Sequence, residues 1–337
     1  MKEKNIAKIK ALLLAKATIQ LHPNINSLDL YSSIGNLGKN QWIFIRLSKN
    51  SRVRLTLCKH AKLILVKSNT TDFFIQDAET HEVIINHIFV ERVLAHAPEQ
   101  LFFLLHKQCL NGCLFCPLID NLADSPYTWE KIESRIQENT PNNIQSVSFT
   151  TSYPVGKSQK EIVSELVDVV TKTRNLLGDG IPFGVSLKTP SIEHLISLKE
   201  AGFSEIRLNI ETYNDSLAQK LMPNKSPHDI LRSIEHAVKV FGKEKVSSNI
   251  IIGLGESDTD ILNGVETLAK IGALSTLYPY DPVPLTKNQF SRPSAERIYN
   301  LAVERKKILE KHNLNPLVAK TMCCACAASH LYPGKDL

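Results

Sequence analysis

The sequence predicts an α/β protein built around a partial (β/α)6 barrel of the TIM type, with a small N-terminal α+β domain and a cysteine-bearing C-terminal tail. Three observations carry this prediction: short alternating segments before residue 95, six apolar runs of strand length after it, and two groups of closely spaced cysteines. A chain of 337 residues, 43% hydrophobic and 22% charged, is typical of a globular protein of about two domains.

Residues 1–95 are predicted to form the accessory α+β domain. Residues 9–19 carry apolar side chains at helical spacing, interrupted by lysines. From about Trp42 to Ile88 apolar and polar residues alternate, which is typical of half-buried strands. We expect one helix and then four or five antiparallel strands, with turns near residues 50–51, 69–70 and 79–80.

Residues 96–290 are predicted to form the barrel. Apolar runs alternate with helical patterns, and parallel strands joined in this way bring their connecting loops to one rim, where the functional site forms. Ser226, Pro227 and Gly242 predict one such helix by N-cap, first-turn proline and C-terminal glycine. The six runs are residues 101–105, 147–150, 183–187, 206–210, 248–252 and 273–278. Residues 291–337 complete the chain as a long helix and the tail.

Three cysteines, Cys109, Cys113 and Cys116, follow the first predicted barrel strand. Closely spaced thiols in a reducing compartment usually ligate zinc or iron–sulfur clusters rather than form disulfides. Three thiolates leave one iron of a four-iron cluster free to bind a small molecule. A zinc site completed by His106 is the alternative.

The spacing of these cysteines, with Phe115 before the third, resembles the cluster motif of the radical S-adenosylmethionine (radical SAM) superfamily. The barrel residues are most similar to its biotin synthase/lipoyl synthase-like branch. The resemblance implies that Cys109, Cys113 and Cys116 hold a 4Fe–4S cluster that binds S-adenosylmethionine. It also implies reductive cleavage to a 5′-deoxyadenosyl radical, hydrogen abstraction from an unactivated carbon, and an electron donor such as ferredoxin or flavodoxin.

Three later segments match places where this superfamily holds S-adenosylmethionine. Thr151 and Ser152 follow the second predicted strand, with hydroxyls where many relatives have a Gly-Gly-Glu run. Asn209 and Glu211 share one face of the fourth strand and can therefore address the ribose hydroxyls. The resemblance places the turn after the fifth strand beside adenine, with Gly253, Gly255 and Glu256. Further candidates for the pocket wall are Tyr153, Lys188, Arg207, Lys245 and Tyr280.

A second group, Cys323, Cys324 and Cys326, lies in the tail. A chain end is usually frayed unless something ties it down, and a metal would do so. We interpret this group as the site of an auxiliary 4Fe–4S cluster, with a structural zinc site or free thiols as alternatives. Because adjacent cysteines need not both reach one cluster, Cys323-x2-Cys326-x2-Ser329 is the more regular ligand set. The fourth ligand could be Ser329, His330, Cys58 or a substrate.

A radical SAM barrel with a second cluster favours sulfur insertion, because biotin synthase and lipoyl synthase use such a cluster as a sulfide source. The N-terminal domain and the cysteine-rich C-terminus resemble the archaeal-type two-protein lipoyl synthase. That resemblance implies an octanoyl-carrier substrate, an acyl-carrying protein and a second radical SAM protein as partners. Two alternatives remain open: a radical SAM enzyme whose auxiliary cluster relays electrons or anchors another metabolite or peptide, and a non-catalytic iron–sulfur electron-transfer protein.

Charge and hydropathy exclude other classes of protein. The formal charge of +6 is spread along the chain without an arginine-rich block, so nucleic-acid binding is not predicted. No apolar run approaches the roughly 18 residues of a membrane-spanning helix. Lys2, Lys4, Lys8 and Lys10 interrupt the N-terminal stretch, unlike a signal peptide. We therefore expect a cytoplasmic protein that binds neither nucleic acid nor membrane.

Overall fold

The computed structural model describes most of the chain and folds it around two β-sheets, one of seven and one of six strands. Within the described residues no helix is both long and apolar enough to span a bilayer. The described residues are 3–25, 30, 33–37, 40–68, 72–94, 97–106, 109–116, 127–140, 143–282 and 289–337.

The N-terminal part consists of helix α1 (Glu3–Lys16) and the seven-stranded sheet. Its strands are β1 (Thr18–Leu21), β2 (Ile34–Leu37), β3 (Asn40–Arg46), β4 (Arg52–Leu57), β5 (Leu63–Lys67), β6 (Phe73–Asp77) and β7 (Val83–Glu91). They follow the order β2-β3-β4-β1-β5-β6-β7, and β3 also pairs with β7, so the sheet curls back on itself.

This sheet corrects the prediction of four or five antiparallel strands. Strand β1 lies between β4 and β5 and runs parallel to both, while the other pairs are antiparallel. The sheet is therefore mixed, because its first strand is inserted between two strands that are neighbours in sequence. The predicted turns near residues 50–51 and 79–80 are found, and the one near 69–70 lies outside the described residues.

The six-stranded sheet confirms the partial barrel. Its order is β13-β12-β11-β10-β9-β8, and every pair is parallel. The strands are β8 (Gln100–Leu104), β9 (Ser146–Thr150), β10 (Phe183–Ser186), β11 (Glu205–Arg207), β12 (Val246–Ile252) and β13 (Leu274–Pro279). The intervening helices are α2 (Trp129–Asn139), α3 (Gln159–Leu177), α4 (Ile192–Ala201), α5 (Asp215–Leu221), α6 (Pro227–Phe241) and α7 (Asp258–Ile271).

Alternate residues of the barrel strands face the helices and the lumen. Val147, Phe149 and Val185 are fully buried in the core shared with the helices. Residues between them are small or polar, such as Ser148 and Gly184. Because side chains alternate along a strand, these small residues line the lumen and leave room inside it.

The C-terminal segment uses this room. After α8 (Ala295–Lys311) and a 3-10 turn at Pro316–Val318, the chain enters the barrel and forms α9 (Met322–Cys326). The Glu205 carboxylate, at the start of β11, accepts from Thr321 N at 2.9 Å and from its hydroxyl at 2.7 Å. A Cβ at Gly184 would lie 2.7 Å from the Thr321 Cβ, so only glycine admits the tail there. The tail therefore closes the N-terminal end of the barrel.

A buried ion pair joins the tail to the first helix. The Lys10 ammonium is fully buried and donates to the Ala327 carbonyl and to Asp336 Oδ2, both at 2.7 Å. Asp336 also accepts from the Ser51 hydroxyl at 2.6 Å and from Tyr332 N at 2.7 Å. Protein contacts between distant segments thus hold the tail in place.

Candidate functional site

A cavity of about 440 Å³ lies inside the barrel and reaches both cysteine groups. Cys109, Cys113 and Cys116 line it at the C-terminal ends of the strands. Cys323 and Cys326 line it at the opposite end, where the tail enters. The fold therefore brings two groups that are about 200 positions apart in sequence onto one cavity.

The first cysteine loop is held by backbone hydrogen bonds to its neighbours. Leu110 N donates to Tyr153 O at 2.8 Å, and Leu114 N donates to Leu221 O at 2.9 Å. The Asn224 amide donates to Leu110 O at 2.7 Å. Phe115 is buried in a small apolar cluster with Leu221 and packs the loop onto α5. The loop is therefore fixed from both sides.

The surroundings of the thiols of this loop bear on the alternative of a zinc site completed by His106. Burial raises the pKa of Cys113 to about 12, an effect that Lys225 opposes. His106 Nε2 lies 2.8 Å from Glu165 Oε2, so it is turned towards α3 rather than to the cysteines. Among the described residues no three His, Cys, Asp or Glu side chains are close enough to bind one metal ion. A four-iron cluster is larger, and its thiolates bind separate irons.

The loop after β9 contributes hydroxyls to the cavity wall. Thr151 and Ser152 both line it, and Thr151 N is fixed by a 2.9 Å hydrogen bond to Ser186 O. The ring of the next residue, Tyr153, makes a cation–π contact with Lys188, whose ammonium lies 4.4 Å from the ring centroid. Lys188 therefore reaches the cavity with its charge beside the first cysteine group.

Asn209 and Glu211 both line the cavity, although the fourth strand is shorter than the predicted residues 206–210. The ladder stops at Arg207, and Glu211 adopts φ = 65°. Such a conformation costs a non-glycine residue roughly 1–2 kcal/mol. It is held by hydrogen bonds from Glu211 N to Asn249 O at 2.9 Å and from Ile251 N to Glu211 O at 2.7 Å.

Lys225 is a site residue that the sequence analysis missed. Its ammonium lies 3.2 Å from Asn209 O and 3.8 Å from Glu211 Oε1, and it lines the cavity. It directly precedes Ser226, the N-cap of α6. The only signal was its position in the loop after the fourth strand, where site residues of a barrel gather.

The turn after β12 lies outside the cavity wall. The Glu256 carboxylate accepts from Gly253 N at 2.6 Å and from Leu254 N at 2.7 Å, so it caps its own turn. A Cβ on Gly253 would lie 2.9 Å from Ser291 O, and one on Gly255 would lie 3.4 Å from the Phe290 ring. These three positions, expected beside adenine, therefore shape the turn, and Asn249 of β12 lines the cavity instead.

The tail turns Cys323 and Cys326 towards the cavity and Cys324 away from it. Cys324 is buried in a separate apolar cluster with Tyr332, and burial raises the pKa of its thiol. Ser329 lines the cavity. Of the other predicted ligands, Cys58 is exposed on the N-terminal part, and His330 is buried against Tyr278 and Tyr332. Of the predicted ligands of the second group, Cys323, Cys326 and Ser329 thus line the cavity.

The cavity wall is electropositive. Four cations line it: Arg54, Lys188, Arg207 and Lys225. Among the described residues, Glu211 is the one carboxylate on the cavity wall. Arg54 comes from β4 of the N-terminal sheet, where it lies over the Trp42 ring at 5.3 Å. Lys245, which binds Val318 O at 3.2 Å, and Tyr280, in the Phe115 cluster, lie outside the wall.

Comparison of the sequence with known proteins finds similarity to one protein family. Residues 104–268 match the model of the radical SAM superfamily. A biotin synthase from Hydrogenobaculum sp. (strain Y04AAS1) is 28% identical over 192 residues, 54% of this chain and 56% of that protein. The chain thus spans about half the length of this curated relative.

Two solved structures share the fold. Methylornithine synthase (PylB) superposes with a TM-score of 0.53 at 17% identity, over 63% of this chain and 62% of that chain. The FeFe-hydrogenase maturase HydG from Carboxydothermus hydrogenoformans superposes with a TM-score of 0.50 at 14% identity, over 63% of this chain and 52% of that chain.

Proposed function

Because this chain belongs to the radical SAM superfamily, we propose that it cleaves S-adenosylmethionine reductively and inserts sulfur into an unactivated C–H position of its substrate. The observation that carries the proposal is the single cavity lined by both cysteine groups. A substrate between them would face the radical source at one end and a sulfur source at the other. The similarity to a biotin synthase supports the same class of reaction.

In this proposal Cys109, Cys113 and Cys116 hold the 4Fe–4S cluster. When bound, the cluster and S-adenosylmethionine together supply a 5′-deoxyadenosyl radical. Asn209 and Glu211 offer an amide and a carboxylate to the ribose hydroxyls. The protein walls position the substrate and keep water from the radical.

Two lysines at the same end match the anionic part of S-adenosylmethionine. The positive charges of Lys188 and Lys225 act on cysteines of the first loop, and both lysines line the cavity. An ammonium near a carboxylate gains charge-assisted hydrogen bonds, which are roughly twice as strong as neutral ones. We assign these lysines to the methionyl carboxylate, with Thr151 and Ser152 close to its amine.

At the other end Cys323, Cys326 and Ser329 would hold the auxiliary cluster, whose chemistry is to supply sulfide. Thiolate and alkoxide oxygen are suitable donors for iron, and all three residues face the cavity. The protein fixes their direction through Glu205 and Lys10, which bind the backbone on either side of α9. Cys324 is not part of this ligand set.

The apolar part of the wall suits an alkyl chain, as an octanoyl-carrier substrate of a lipoyl synthase-like enzyme would require. Phe44, Phe102, Leu104 and Leu208 are among the residues that line the cavity. Burying such a chain stabilises the complex by about 0.8 kcal/mol per CH2 group. An acyl-carrying protein, a second radical SAM protein and a ferredoxin or flavodoxin remain the proposed partners.

Anaerobic reconstitution with iron counting and Mössbauer spectroscopy tests the proposal. Wild type should bind about eight irons, as two four-iron clusters. Cys326→Ala should fall to about four irons, and the matched control Cys324→Ala, whose thiol faces away from the cavity, should keep about eight. About four irons in wild type would refute the second cluster.

Product analysis then tests sulfur insertion. With ³⁴S in the clusters, wild type should transfer label to substrate, and Cys326→Ala should form 5′-deoxyadenosine without a sulfur product. Many turnovers with an intact second cluster would instead show an electron relay. Failure to cleave S-adenosylmethionine at all would leave an electron-transfer protein.

A further inference from the structure

Cys323 receives hydrogen bonds from two side chains of the barrel. Arg207 Nη1 donates to its sulfur at 2.9 Å, and the Tyr278 hydroxyl also bonds to it. Both donors are themselves fixed. Arg207 Nε donates to the Ser186 hydroxyl at 3.3 Å, and the Tyr278 ring packs on His330 with centroids 5.0 Å apart.

The tail backbone has other anchors on both sides of Cys323. Glu205 already binds Lys320 N at 2.7 Å and Thr321 N at 2.9 Å, ahead of Cys323. Lys10 binds Ala327 O at 2.7 Å behind it. The backbone is therefore held on both sides, whereas Arg207 and Tyr278 act on the sulfur atom alone.

We propose that Arg207 and Tyr278 are positioning residues of the second cluster, which direct Cys323 to its iron and raise the reduction potential of the cluster. This inference rests on the proposed function, because it takes Cys323 as a cluster ligand. A hydrogen bond to a ligating sulfur withdraws electron density and stabilises the more negative, reduced cluster. A guanidinium adds a full positive charge to that effect.

The charge of the surrounding wall agrees with this role. Arg54 and Arg207 are cations that line the tail end of the cavity. Glu211, the one carboxylate among the described lining residues, lies at the other end beside Lys225. An anionic cluster at the tail end would therefore be surrounded by positive charge that no described carboxylate of the wall offsets.

Cys324 provides an internal control. It is adjacent to Cys323, yet it faces away from the cavity and hydrogen-bonds to Tyr332. The Tyr332 hydroxyl gives its proton to Pro316 O at 2.9 Å, so its oxygen is left to accept from the Cys324 thiol. Tyr278→Phe and Tyr332→Phe each remove one buried phenol oxygen next to a tail cysteine, but only the first removes a bond to the proposed ligand.

The experiment is a redox titration of the reconstituted full-length protein, followed by electron paramagnetic resonance, with iron counted in each sample. The proteins are wild type, Tyr278→Phe, Tyr332→Phe, Arg207→Lys and Arg207→Gln. We expect Tyr278→Phe to keep both clusters and to lower the midpoint potential of the second cluster by about 59 mV. For a one-electron couple this shift is a tenfold change in the reduced-to-oxidised ratio at a fixed potential. The midpoint potential of the first cluster should not change in any variant. In Tyr332→Phe both midpoint potentials should equal those of wild type.

The arginine variants separate charge from geometry. Arg207→Gln should lower the second midpoint further than Arg207→Lys, which retains the positive charge. Equal midpoints in wild type, Tyr278→Phe and both arginine variants, with two clusters present, would overturn this inference and leave the proposed function intact. A single cluster in wild type would overturn both. An equal shift in Tyr332→Phe would also overturn the inference.

Discussion

Replacing Lys10 by methionine isolates the contact that joins the first helix to the tail. Methionine retains the unbranched apolar stem and removes the ammonium that reaches Ala327 O and Asp336. Both charged side chains are completely buried. The variant therefore leaves a buried carboxylate whose remaining donors, within the described part of the chain, are the Ser51 hydroxyl and Tyr332 N.

The expected loss is large. Removing one member of a buried ion pair costs about 3–5 kcal/mol, because the other charge stays buried without its counter-ion. Lys10→Met/Asp336→Asn should recover much of this, since the amide carries no charge but still accepts hydrogen bonds. Lys16→Met on the same helix is the matched control. Lys16 and Asp77 form a 2.8 Å pair with side chains 23% and 22% exposed, and solvent screening makes its removal far less costly.

Tryptophan fluorescence can follow the tail directly. The chain has two tryptophans, and Trp42 packs in one cluster with Cys326 and Ala328. In a Trp129→Phe background, urea unfolding monitored at Trp42 therefore reports release of the tail. Lys10→Met should lower the urea midpoint strongly and Lys16→Met only slightly. Equal midpoints for the two single variants would refute the idea that this ion pair holds the tail.

Three further outcomes are expected. Gly184→Ala should lower the free energy of unfolding by about 1–3 kcal/mol, as overpacking does, because the new methyl meets Thr321; an unchanged thermal midpoint would contradict the tight fit. Glu211→Ala should raise the dissociation constant of S-adenosylmethionine by roughly tenfold, the effect of about 1.4 kcal/mol, as equilibrium dialysis would measure; an unchanged constant would remove Glu211 from the ribose site. Cys113→Ala should abolish 5′-deoxyadenosine formation in a chromatographic assay, and retained product would contradict its role as a cluster ligand.

The barrel could be predicted because the sequence signals for each of its strands and helices lie within that element. Each strand is a short apolar run, and helix α6 carries its own start and stop signals in Ser226 and Gly242. The cysteine loop could be placed for the same reason, because it directly follows a strand and the topology sends all such loops to one rim. The place of the cysteine loop at this rim therefore depends on a single segment and could be predicted.

Contacts between segments that are distant in sequence produce no recognisable pattern in the sequence. Lys10 reads in the sequence as a polar interruption of an apolar helix, yet it is buried because Asp336 meets it. The direction of Cys324 depends on how α9 sits in the lumen, which Glu205 determines. The parallel insertion of β1 likewise depends on partners far along the chain.

The Glu256 turn shows a different reason why a site residue cannot be predicted from sequence. Its residue types suit a ligand site, and nothing in the sequence reveals that the carboxylate is satisfied by the backbone of its own turn. A pattern of glycines and one acid is common to both situations. Only the positions of the amide groups distinguish them.

The hydrogen bond from Lys10 to Ala327 spans 317 positions, so it also sets an order of events during synthesis. A ribosome that adds roughly 5–20 residues per second needs about 15–65 s to cover that distance. The first cysteine loop is synthesised early in this interval, whereas the tail is made only at its end. The nascent chain therefore carries the first cysteine group well before the second.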